Sequence, residues 1–200
     1  MARLSPADRR ESIVAAALAV ILRQGLAGTT VRDVAAELGC SSGLVHHYFD
    51  SMDALLAEAF ERSAGADLGA TRAAVLGGSD PVDRLRRFVG SYARADEDWA
   101  FQLWLDAWSE AARRPILGEV SRRLNEAWQA LVAEIIRDGI AAGVMTCADA
   151  DAAAWRILSL LDGLALQTVA HSGSVSRDQV IEWASTTAEL DLGLPPGALR

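Results

Sequence analysis

The sequence predicts an all-α protein of about nine helices. Of its 200 residues, 51% are hydrophobic, which is enough for a continuous core, and 23% are charged, a composition unlike that of a disordered chain. Alanine is abundant, whereas clusters of Val, Ile and Thr at strand spacing are absent. Several of the five prolines stand where helices would begin.

The first helix is predicted to follow Ser5 and to run to Gln24. Ser5 precedes Pro6, and Asp8 follows three residues later, which is the pattern of a capping box. Gly25 ends the helix, because glycine enters the left-handed conformation at little cost. The apolar residues predicted to face inward fall at helical spacing, and they are Ile13, Ala17, Val20 and Ile21.

Two short helices are predicted next. Thr30 and Asp33 form a second capping box, which opens a helix over 31–38 that ends at a glycine. Another short helix begins near Ser42 and continues to Tyr48. The turn between them is only a few residues long.

Capping patterns also open the later helices. Ser51 precedes a long helix that runs towards Leu76, and Asp80 with Asp83 repeats the pattern. The remaining helices are predicted to cover 81–95, 98–113, 115–142, 150–172 and 177–192. The prolines and glycine of 194–197 cannot continue a helix, so we expect a frayed tail.

The segment 29–56 carries the clearest functional signal. Its two short helices and their glycine-led turn have the length and chemistry of a helix-turn-helix. Val34 and Leu38 are predicted to face inward from the first helix, and Val45 and Phe49 from the second. The polar side of the second helix then fits a DNA major groove about 12 Å wide. The candidate DNA-binding residues are Thr30, Arg32, Ser41, Ser42, Gly43, His46, His47 and Tyr48.

Individual members of this set suggest particular contacts. Thr30 stands at a helix N-terminus and presents a hydroxyl and backbone N–H groups to a phosphate. Gly43 allows close approach of the backbone. Because imidazole side chains can change charge close to physiological pH, His46 and His47 would make DNA binding pH-sensitive, with plain surface polarity as the alternative. They do not form a metal pair, because adjacent helical residues point about 100° apart. We predict no metal or other cofactor.

Charge divides the chain into two parts. All 19 basic residues are arginine and the net charge is −8. Residues 1–50 carry five arginines and five acidic residues and are therefore neutral, so the net negative charge lies entirely within residues 51–200. The neutral head over 1–50 contains the helix-turn-helix and is the expected DNA-binding domain, and the acidic body over 51–200 is the expected ligand-binding and dimerisation domain. A neutral head on an acidic body implies weak non-specific DNA affinity.

Neither the cysteines nor the apolar segments indicate a secreted or membrane protein. Cys40 and Cys147 lack any nearby partner, which argues against a disulfide framework and a cysteine zinc site. The apolar run over 13–22 is too short to span a bilayer, which needs about 20 residues. We therefore expect a cytoplasmic protein without a membrane partner.

The helix-turn-helix segment resembles the DNA-binding head of the TetR family of bacterial regulators. The resemblance rests on the glycine-ended helix at Leu38-Gly39, on the aromatic pair Tyr48-Phe49 that closes the recognition helix, and on Leu55-Leu56 in the next helix. Two residues depart from the family's common pattern. Met52 replaces a lysine that would contact phosphate, and His46 replaces a tyrosine.

The C-terminal part is similar, more loosely, to the BetI-like bodies of that family. The similarity rests on the WLDAW segment at 104–108 and on Leu161-Asp162-Gly163-Leu164. It implies a homodimer through the helices 150–172 and 177–192, paired as a four-helix bundle. Two recognition helices about 34–36 Å apart would then read a near-palindromic operator.

The last two predicted helices each carry an apolar stripe with small residues. These stripes either form the dimer interface or complete the core of one chain, and both can hold on different faces. The members of the first stripe are Trp155, Leu158, Leu161, Ala165 and Val169. The members of the second are Val180, Trp183, Ala184, Thr187 and Leu190.

An aromatic group and one carboxylate suggest a ligand pocket. Core filling is the alternative for the aromatic residues, although clustered indoles commonly leave cavities. Asp162 lies inside the apolar run 157–166, where an unpaired carboxylate would be costly. It either pairs with Arg156 or a backbone cap, or it holds an amine or quaternary ammonium together with the indoles. The candidate ligand residues are Phe101, Trp104, Trp108, Trp128 and Asp162.

Together these features predict a transcriptional regulator, most simply a repressor that a small-molecule effector releases from DNA. The rigid helix 51–76 would join head to pocket. An all-helical enzyme is the first alternative, but no catalytic constellation or phosphate loop supports it, so we do not predict an enzyme. A ligand-free architectural DNA-binding protein is the second, and the acidic body argues against it. The effector, the operator and an activator role stay open.

Overall fold

The computed structural model describes residues 5–93, 98–171 and 173–200. Within these residues the chain forms nine α-helices and no strand, which confirms the predicted all-α class. Apart from the end of the fifth helix, the predicted boundaries agree with the structure to within two residues. The helices are α1 Pro6–Gln24, α2 Val31–Leu38, α3 Ser42–Tyr48, α4 Met52–Leu76, α5 Pro81–Ser91, α6 Asp98–Ala111, α7 Pro115–Ala141, α8 Ala150–Ala170 and α9 Arg177–Asp191.

Capping boxes set the starts of the N-terminal helices. The Ser5 hydroxyl accepts a hydrogen bond from the Asp8 N–H, and the Asp8 carboxylate accepts one from the Ser5 N–H. Thr30 and Asp33 repeat the arrangement at α2. Gly39 then adopts φ 67° and ψ 36°, the left-handed conformation that stops α2.

The fifth helix is shorter than the sequence predicted. The expected span reached residue 95, whereas α5 ends at Ser91. The Tyr92 N–H bonds the carbonyl of Val89, three residues back, so the last turn tightens and closes the helix. Residues 94–97, including the expected break at Asp96, lie outside the described residues.

The first of two compact units comprises residues 1–66 and 102–124. It contains α1–α3 together with parts of α4, α6 and α7. α1 packs on α2, and α2 packs on α3. The α1 stripe is buried as predicted, and it joins a core whose other large members include Leu26, Val34, Val45, Phe49, Leu55, Leu56, Phe60, Leu103, Leu117 and Leu124.

The second unit comprises residues 67–101 and 125–200. It contains α5, α8 and α9 together with the remaining parts of α4, α6 and α7. α9 packs on both α8 and α5. The largest residues of its core include Leu85, Phe88, Leu131, Ile135, Ile136, Met145, Ile157, Leu158, Leu161 and Leu192.

The C-terminal tail is anchored, contrary to the prediction that it frays. Glu189 of α9 is only 4% exposed, and its carboxylate accepts the N–H groups of Gly197 and Leu199, each at 2.9 Å. Arg86 of α5 donates to the Ala198 carbonyl at 2.8 Å. The helix α9 ends at Asp191, ahead of the prolines, and the buried Glu189 carboxylate supplies hydrogen bonds that the tail needs.

Other features of the described residues concern cofactors and membranes. Within these residues no helix is long and apolar enough to cross a bilayer. No group of three or more His, Cys, Asp or Glu side chains among them is placed to hold a metal ion. Cys40 and Cys147 are both free thiols.

The division into functional domains at residue 50 stays a prediction.

Candidate nucleic-acid interface and ligand site

The helix α3 has one buried side and one exposed side. Val45 is 1% exposed and Phe49, which follows the helix, is 4% exposed, so both face the core as predicted. On α2, Val34 is fully buried, whereas Leu38 is half-buried. The opposite side of α3 exposes predicted DNA-binding residues. Ser41, Gly43, His46 and His47 are exposed, and Ser42 and Tyr48 are half-buried.

An open groove joins the start of α2 to the start of α3. Its volume is about 410 Å³, and its lining includes Thr30 and Arg32 from one helix and Ser42 and His46 from the other. The structure therefore brings four of the predicted DNA-binding residues to one concave surface. Within the described residues, the exposed Arg32 side chain forms no ion pair or hydrogen bond, so its guanidinium is available to an anion.

The Thr30 hydroxyl is already engaged, which changes the expected phosphate contact. It donates to the Asp33 carboxylate at 2.6 Å and accepts from the Asp33 N–H at 3.3 Å. The hydrogen bonds that the Asp33 carboxylate accepts from the Thr30 hydroxyl and from the Thr30 N–H lower the pKa of Asp33 below its usual value. The groups that this turn offers to a phosphate are therefore its first backbone N–H groups, which lack partners within a helix.

The start of α3 differs from the start of α2. Ser41 is the N-cap of α3, and among the described residues its hydroxyl makes no capping hydrogen bond. Since Ser41 is exposed, its hydroxyl and the first N–H groups of α3 face solvent together. A helix end of this kind is suited to contacts with DNA, which supplies acceptors on both bases and phosphates.

An arginine that the sequence analysis overlooked holds the end of α3. Arg10 of α1 donates through Nη1 to the Tyr48 carbonyl at 2.7 Å, and its guanidinium carbon lies 4.1 Å from the centre of the Phe49 ring. Its Nε also donates to Glu58 of α4 at 3.2 Å. Arg10 thus ties α3 to α1 and α4 at once. No local pattern identifies this role, because the partners lie 38–48 residues away.

Two polar contacts attach α6 and the turn after it to the same unit. Asp106 accepts the Leu26 N–H at 3.2 Å, in the turn that follows α1. Arg114 pairs with Asp53 in the first turn of α4 and with Glu110 at 3.0 Å. These bonds to Glu110 and Asp53 raise the pKa of Arg114. The carboxylates of α6 therefore fix the helices that carry α3.

In the second unit, Asp162 lies against an aromatic cluster. The Tyr92 hydroxyl donates to Asp162 at 2.8 Å, and the Tyr92 ring lies 5.5 Å from Phe101 and 5.9 Å from Phe88. Phe88 in turn lies 6.1 Å from Trp128. We refer to Phe88, Tyr92, Phe101, Trp128 and Asp162 as the aromatic cluster. Three of these are predicted ligand residues, and the sequence analysis overlooked Phe88 and Tyr92.

Burial changes the proton affinities of this pair. It raises the pKa of Asp162 to about 6, and the hydrogen bond from Tyr92 opposes that rise. The pKa of Tyr92 is also raised, first by burial and then by the charge of Asp162. At pH 7 the site therefore holds a carboxylate in poorly hydrated surroundings, which favours a cationic partner.

Arg156, one of the partners considered for Asp162, does not bond it. Arg156 pairs with Asp191 of α9 instead, at 2.7 Å and 3.0 Å. Arg156 lies on the exposed side of α8, whereas Asp162, six residues further, is turned towards Tyr92. The helical spacing separates the two residues.

The remaining predicted ligand residues belong to the first unit. Trp104 lies 5.0 Å from Phe60 and 5.6 Å from Trp108, with both pairs of rings tilted or edge-on. Trp104 is 9% exposed and Trp108 is half-buried. Their role in ligand binding stays a prediction.

The apolar stripes of α8 and α9 divide between core and surface. Leu158, Leu161 and Ala165 are buried, as are Val180 and Ala184, so these members complete the core of the chain. Other members remain exposed on the two helices. Trp155 is 38%, Trp183 is 43% and Leu190 is 80% exposed, and Thr187 is also exposed.

Comparison with known proteins agrees with this architecture. The family model described as "Bacterial regulatory proteins, tetR family" matches residues 13–59, and that of the "BetI-type transcriptional repressor, C-terminal" matches residues 81–192. The chain belongs to the TetR family. As a TetR-family protein it is a DNA-binding transcriptional regulator, and the family resemblance drawn from the sequence is confirmed.

Relatives with assigned names point the same way. The chain is 32% identical over 190 residues to the HTH-type transcriptional regulator BetI of Burkholderia cenocepacia, covering 91% of this chain and 93% of that protein. It is 34% identical over 167 residues to the BetI of Paraburkholderia phytofirmans, covering 80% of each. TetR-family regulators bind DNA and form dimers.

Solved structures share the fold over nearly the full chain. A transcriptional regulator from Saccharomonospora viridis, described as putative and solved in complex with choline, has a TM-score of 0.83 and 26% identity. The match covers 93% of this TetR-family chain and 98% of that regulator. Another such regulator from Pseudomonas aeruginosa has a TM-score of 0.81 and 28% identity, covering 99% and 95%.

Proposed function

We propose that the protein is a repressor that binds a near-palindromic operator as a homodimer and leaves it when a small cationic effector binds. The single observation that carries this proposal is the exposed polar side of α3 above a buried apolar side. Such a helix can enter the major groove while its inner side keeps it fixed to the unit. A regulator of this kind acts at the chromosome, so we place it in the cytoplasm, with residues 1–50 as the DNA-binding domain and 51–200 as the effector and dimer domain.

The DNA contacts follow from the groove and the two helix starts. Ser41, Ser42 and His47 would contact base edges, because they lie in the first half or on the outer side of α3. Arg32 and the backbone N–H groups after Thr30 would bind phosphate. Gly43, His46 and Tyr48 complete the surface. This assignment predicts few phosphate contacts, in keeping with a neutral head.

The dimer would use the exposed apolar sides of α8 and α9. Trp155, Trp183 and Leu190 expose large side chains that a free monomer would hold in water. Gly163 lies on the exposed side of α8 with open space where a Cβ would point, so a partner helix can approach closely there. Two-fold pairing then doubles the DNA contacts of one short helix.

The effector would bind at the aromatic cluster. A carboxylate that bonds the Tyr92 hydroxyl, next to a tyrosine ring that itself contacts Phe101, attracts an ammonium group through charge and cation–π interaction. The structural relative that was solved with choline supports a quaternary ammonium as the class of ligand. The Asp162 carboxylate supplies the charge, and Tyr92 and Phe101 supply ring faces.

Release would follow from a shift between two states of the dimer. α4 and α6 are each continuous helices, so a ligand-induced change near Phe101 or the end of α4 has a route to the residues that fix α3. The effector needs a higher affinity for the non-binding state, and a coupling of about 1–3 kcal/mol changes operator occupancy roughly 5–150-fold.

DNA selection tests the proposal. Genomic fragments retained by the purified protein should share a near-palindrome with half-sites centred about one helical turn apart. Choline, titrated into the complex with such a fragment, should release the DNA. Fragments without a shared sequence, bound with a steep dependence on salt, would instead indicate the architectural alternative.

A further inference from the structure

The groove between α2 and α3 carries a histidine together with an arginine. Arg32 of α2 and His46 of α3 both line it, and both side chains are exposed. Within the described part of the chain, neither side chain forms a hydrogen bond or an ion pair. The other lining residues, Thr30, Val31 and Ser42, carry no charge. A permanent cation and a titratable base therefore share one concave surface.

Acidic side chains on α1, α2 and the first part of α4 bond other groups. The pairs are Asp8 with Ser5, Glu11 with Arg62, Asp33 with Thr30, Glu37 with Arg23, Asp53 with Arg114, Glu58 with Arg10 and Glu61 with Arg123. Arg9, His47 and Asp50 do not line the groove. Among the lining residues, Arg32 is the charged group that shares this surface with His46.

The direction of His46 suits a phosphate better than a base edge. Val45 faces the core, and successive residues of a helix point about 100° apart. His46 therefore lies on the flank of α3, between its buried side and the outer side that carries His47. That flank faces the start of α2 and Arg32. Side chains beside a recognition helix meet the DNA backbone rather than the base edges.

We propose that His46 binds an operator phosphate together with Arg32, and that operator binding takes up a proton at His46 in each half-site. This inference rests on the proposed function, which places α3 in the major groove. It adds a phosphate contact whose strength depends on pH.

The proton uptake follows from the charges in the groove. Arg32 is always protonated, whereas imidazole side chains can change charge close to physiological pH. Two positive side chains on one surface repel each other, but a phosphate attracts both. A bound phosphate therefore favours the charged form of His46, and a lower pH favours the bound phosphate in turn.

Operator affinity without effector, measured against pH, tests the inference. We would titrate a selected operator with the full-length dimer at constant ionic strength. The affinity should be about tenfold higher at pH 6 than at pH 8, as expected for two exposed charge pairs in each dimer. The slope of log affinity against log salt concentration should be steeper by about 1–2 at pH 6, because up to two more phosphates are neutralised.

Substitutions assign the effect to His46. His46→Gln keeps a polar side chain that cannot gain a charge, so the affinity should no longer rise between pH 8 and pH 6. In His46→Arg the charge is permanent, and the affinity should again be the same at both pH values. His47→Gln is the matched control on α3, and it should bind more weakly but keep the rise. His171→Gln, at an exposed residue of the second unit, should behave like the wild-type protein.

Uncharged phosphates locate the ligand of His46. Single operator phosphates are replaced by methylphosphonates, one position at a time. At one position in each half-site the replacement should reduce the effect of pH. If the full effect of pH survives at every position, the partner of His46 is not a phosphate and the inference is overturned.

The outcomes distinguish this inference from the proposed function. If the protein selects no shared DNA sequence, both fail together. If a selected operator binds equally at pH 6 and pH 8, the proposed function stands and this inference is overturned. It is also overturned if His46→Gln keeps the rise in affinity at pH 6.

Discussion

The two units of the molecule present surfaces of opposite chemistry. In the first, α3 exposes serines and histidines above a buried Val45. In the second, α8 and α9 expose Trp155, Trp183 and Leu190 beside residues that complete the core. Polar side chains with unused donors suit a nucleic acid, whereas large apolar side chains suit another protein surface.

The difference shows how one chain divides recognition from assembly. A helix of seven residues offers few contacts, so its DNA affinity depends on a second copy held at the correct spacing. The apolar surface supplies no sequence information but fixes the geometry. Each surface can therefore be disabled separately, and the consequences should differ.

Charged substitutions on the exposed apolar surface of α9 should have the largest effect. Trp183→Glu combined with Leu190→Glu places charges on the exposed side of α9, so the dimer should dissociate and specific operator affinity should fall about 1,000-fold with the loss of one half-site. Sedimentation and gel-shift titrations measure both. Ile140→Glu with Val144→Glu, at exposed apolar residues elsewhere, is the control. A variant that remains dimeric would contradict the assignment.

Removing the recognition side chains should have the next largest effect. Ser42→Ala with His47→Ala removes two proposed base contacts, each with about 1–3 kcal/mol of discrimination, so specific affinity should fall roughly 100-fold. Dimer formation and effector affinity should not change. The matched control is Ser174→Ala with His171→Ala, at exposed residues of the second unit. Unchanged specific affinity in a gel-shift would disprove the site.

Loosening the support of α3 should weaken DNA binding less. In Arg10→Lys the ammonium cannot bond the Tyr48 carbonyl and Glu58 while stacking on Phe49, so affinity should fall about tenfold with the dimer intact. Arg23→Lys is the control, because Arg23 forms a single exposed pair with Glu37 at 2.7 Å. Equal losses of DNA affinity in the two variants would contradict a special role for Arg10.

Effector binding should depend on pH through Asp162. Because burial raises the pKa of that carboxyl to about 6, the site is ionised at pH 7 and largely protonated at pH 5. Cation affinity should therefore fall about tenfold between these pH values. Asp162→Asn should bind weakly at both, and the exposed control Asp178→Asn should behave like the wild-type protein. An affinity for choline that does not change with pH would contradict the role of Asp162.

The same substitution should affect stability in the opposite direction. The folded chain holds the Asp162 proton more tightly than the unfolded chain, whose carboxyl titrates near 3.8. The ionised form therefore lowers the stability of the wild-type protein as pH rises from about 4 to 6. Asp162→Asn removes this penalty and should raise the free energy of unfolding at pH 7 by about 1–2 kcal/mol. Denaturant titrations at pH 4 and 7 check the difference, which should vanish at the lower pH.

Local chemistry made most of the fold predictable. Helix starts at Ser5, Thr30 and Asp80 follow from side chains that bond N–H groups three residues away, and Gly39 ends α2 through its own backbone. The α3 surface was equally accessible, because its inward and outward sides follow from helical spacing within seven residues. The family resemblance rests on this same local segment.

Contacts between distant residues were not predictable in this way. Arg10 reaches Glu58, Tyr92 reaches Asp162, and Glu189 anchors the tail only after the helices have packed. No spacing rule identifies such partners. Asp162 is an example, since its nearest arginine in sequence bonds another residue and the tyrosine that bonds it lies 70 residues away.

The central claim is that α3 lies in the major groove of each half-site. Asp50→Cys, at an exposed position just after α3, provides an attachment point for an iron chelate once Cys40 and Cys147 have been replaced by serine. We predict DNA cleavage at two clusters of major-groove positions, centred about 10 base pairs apart on a selected operator. Cleavage spread evenly along the DNA, or confined to sites outside the half-sites, would contradict the account.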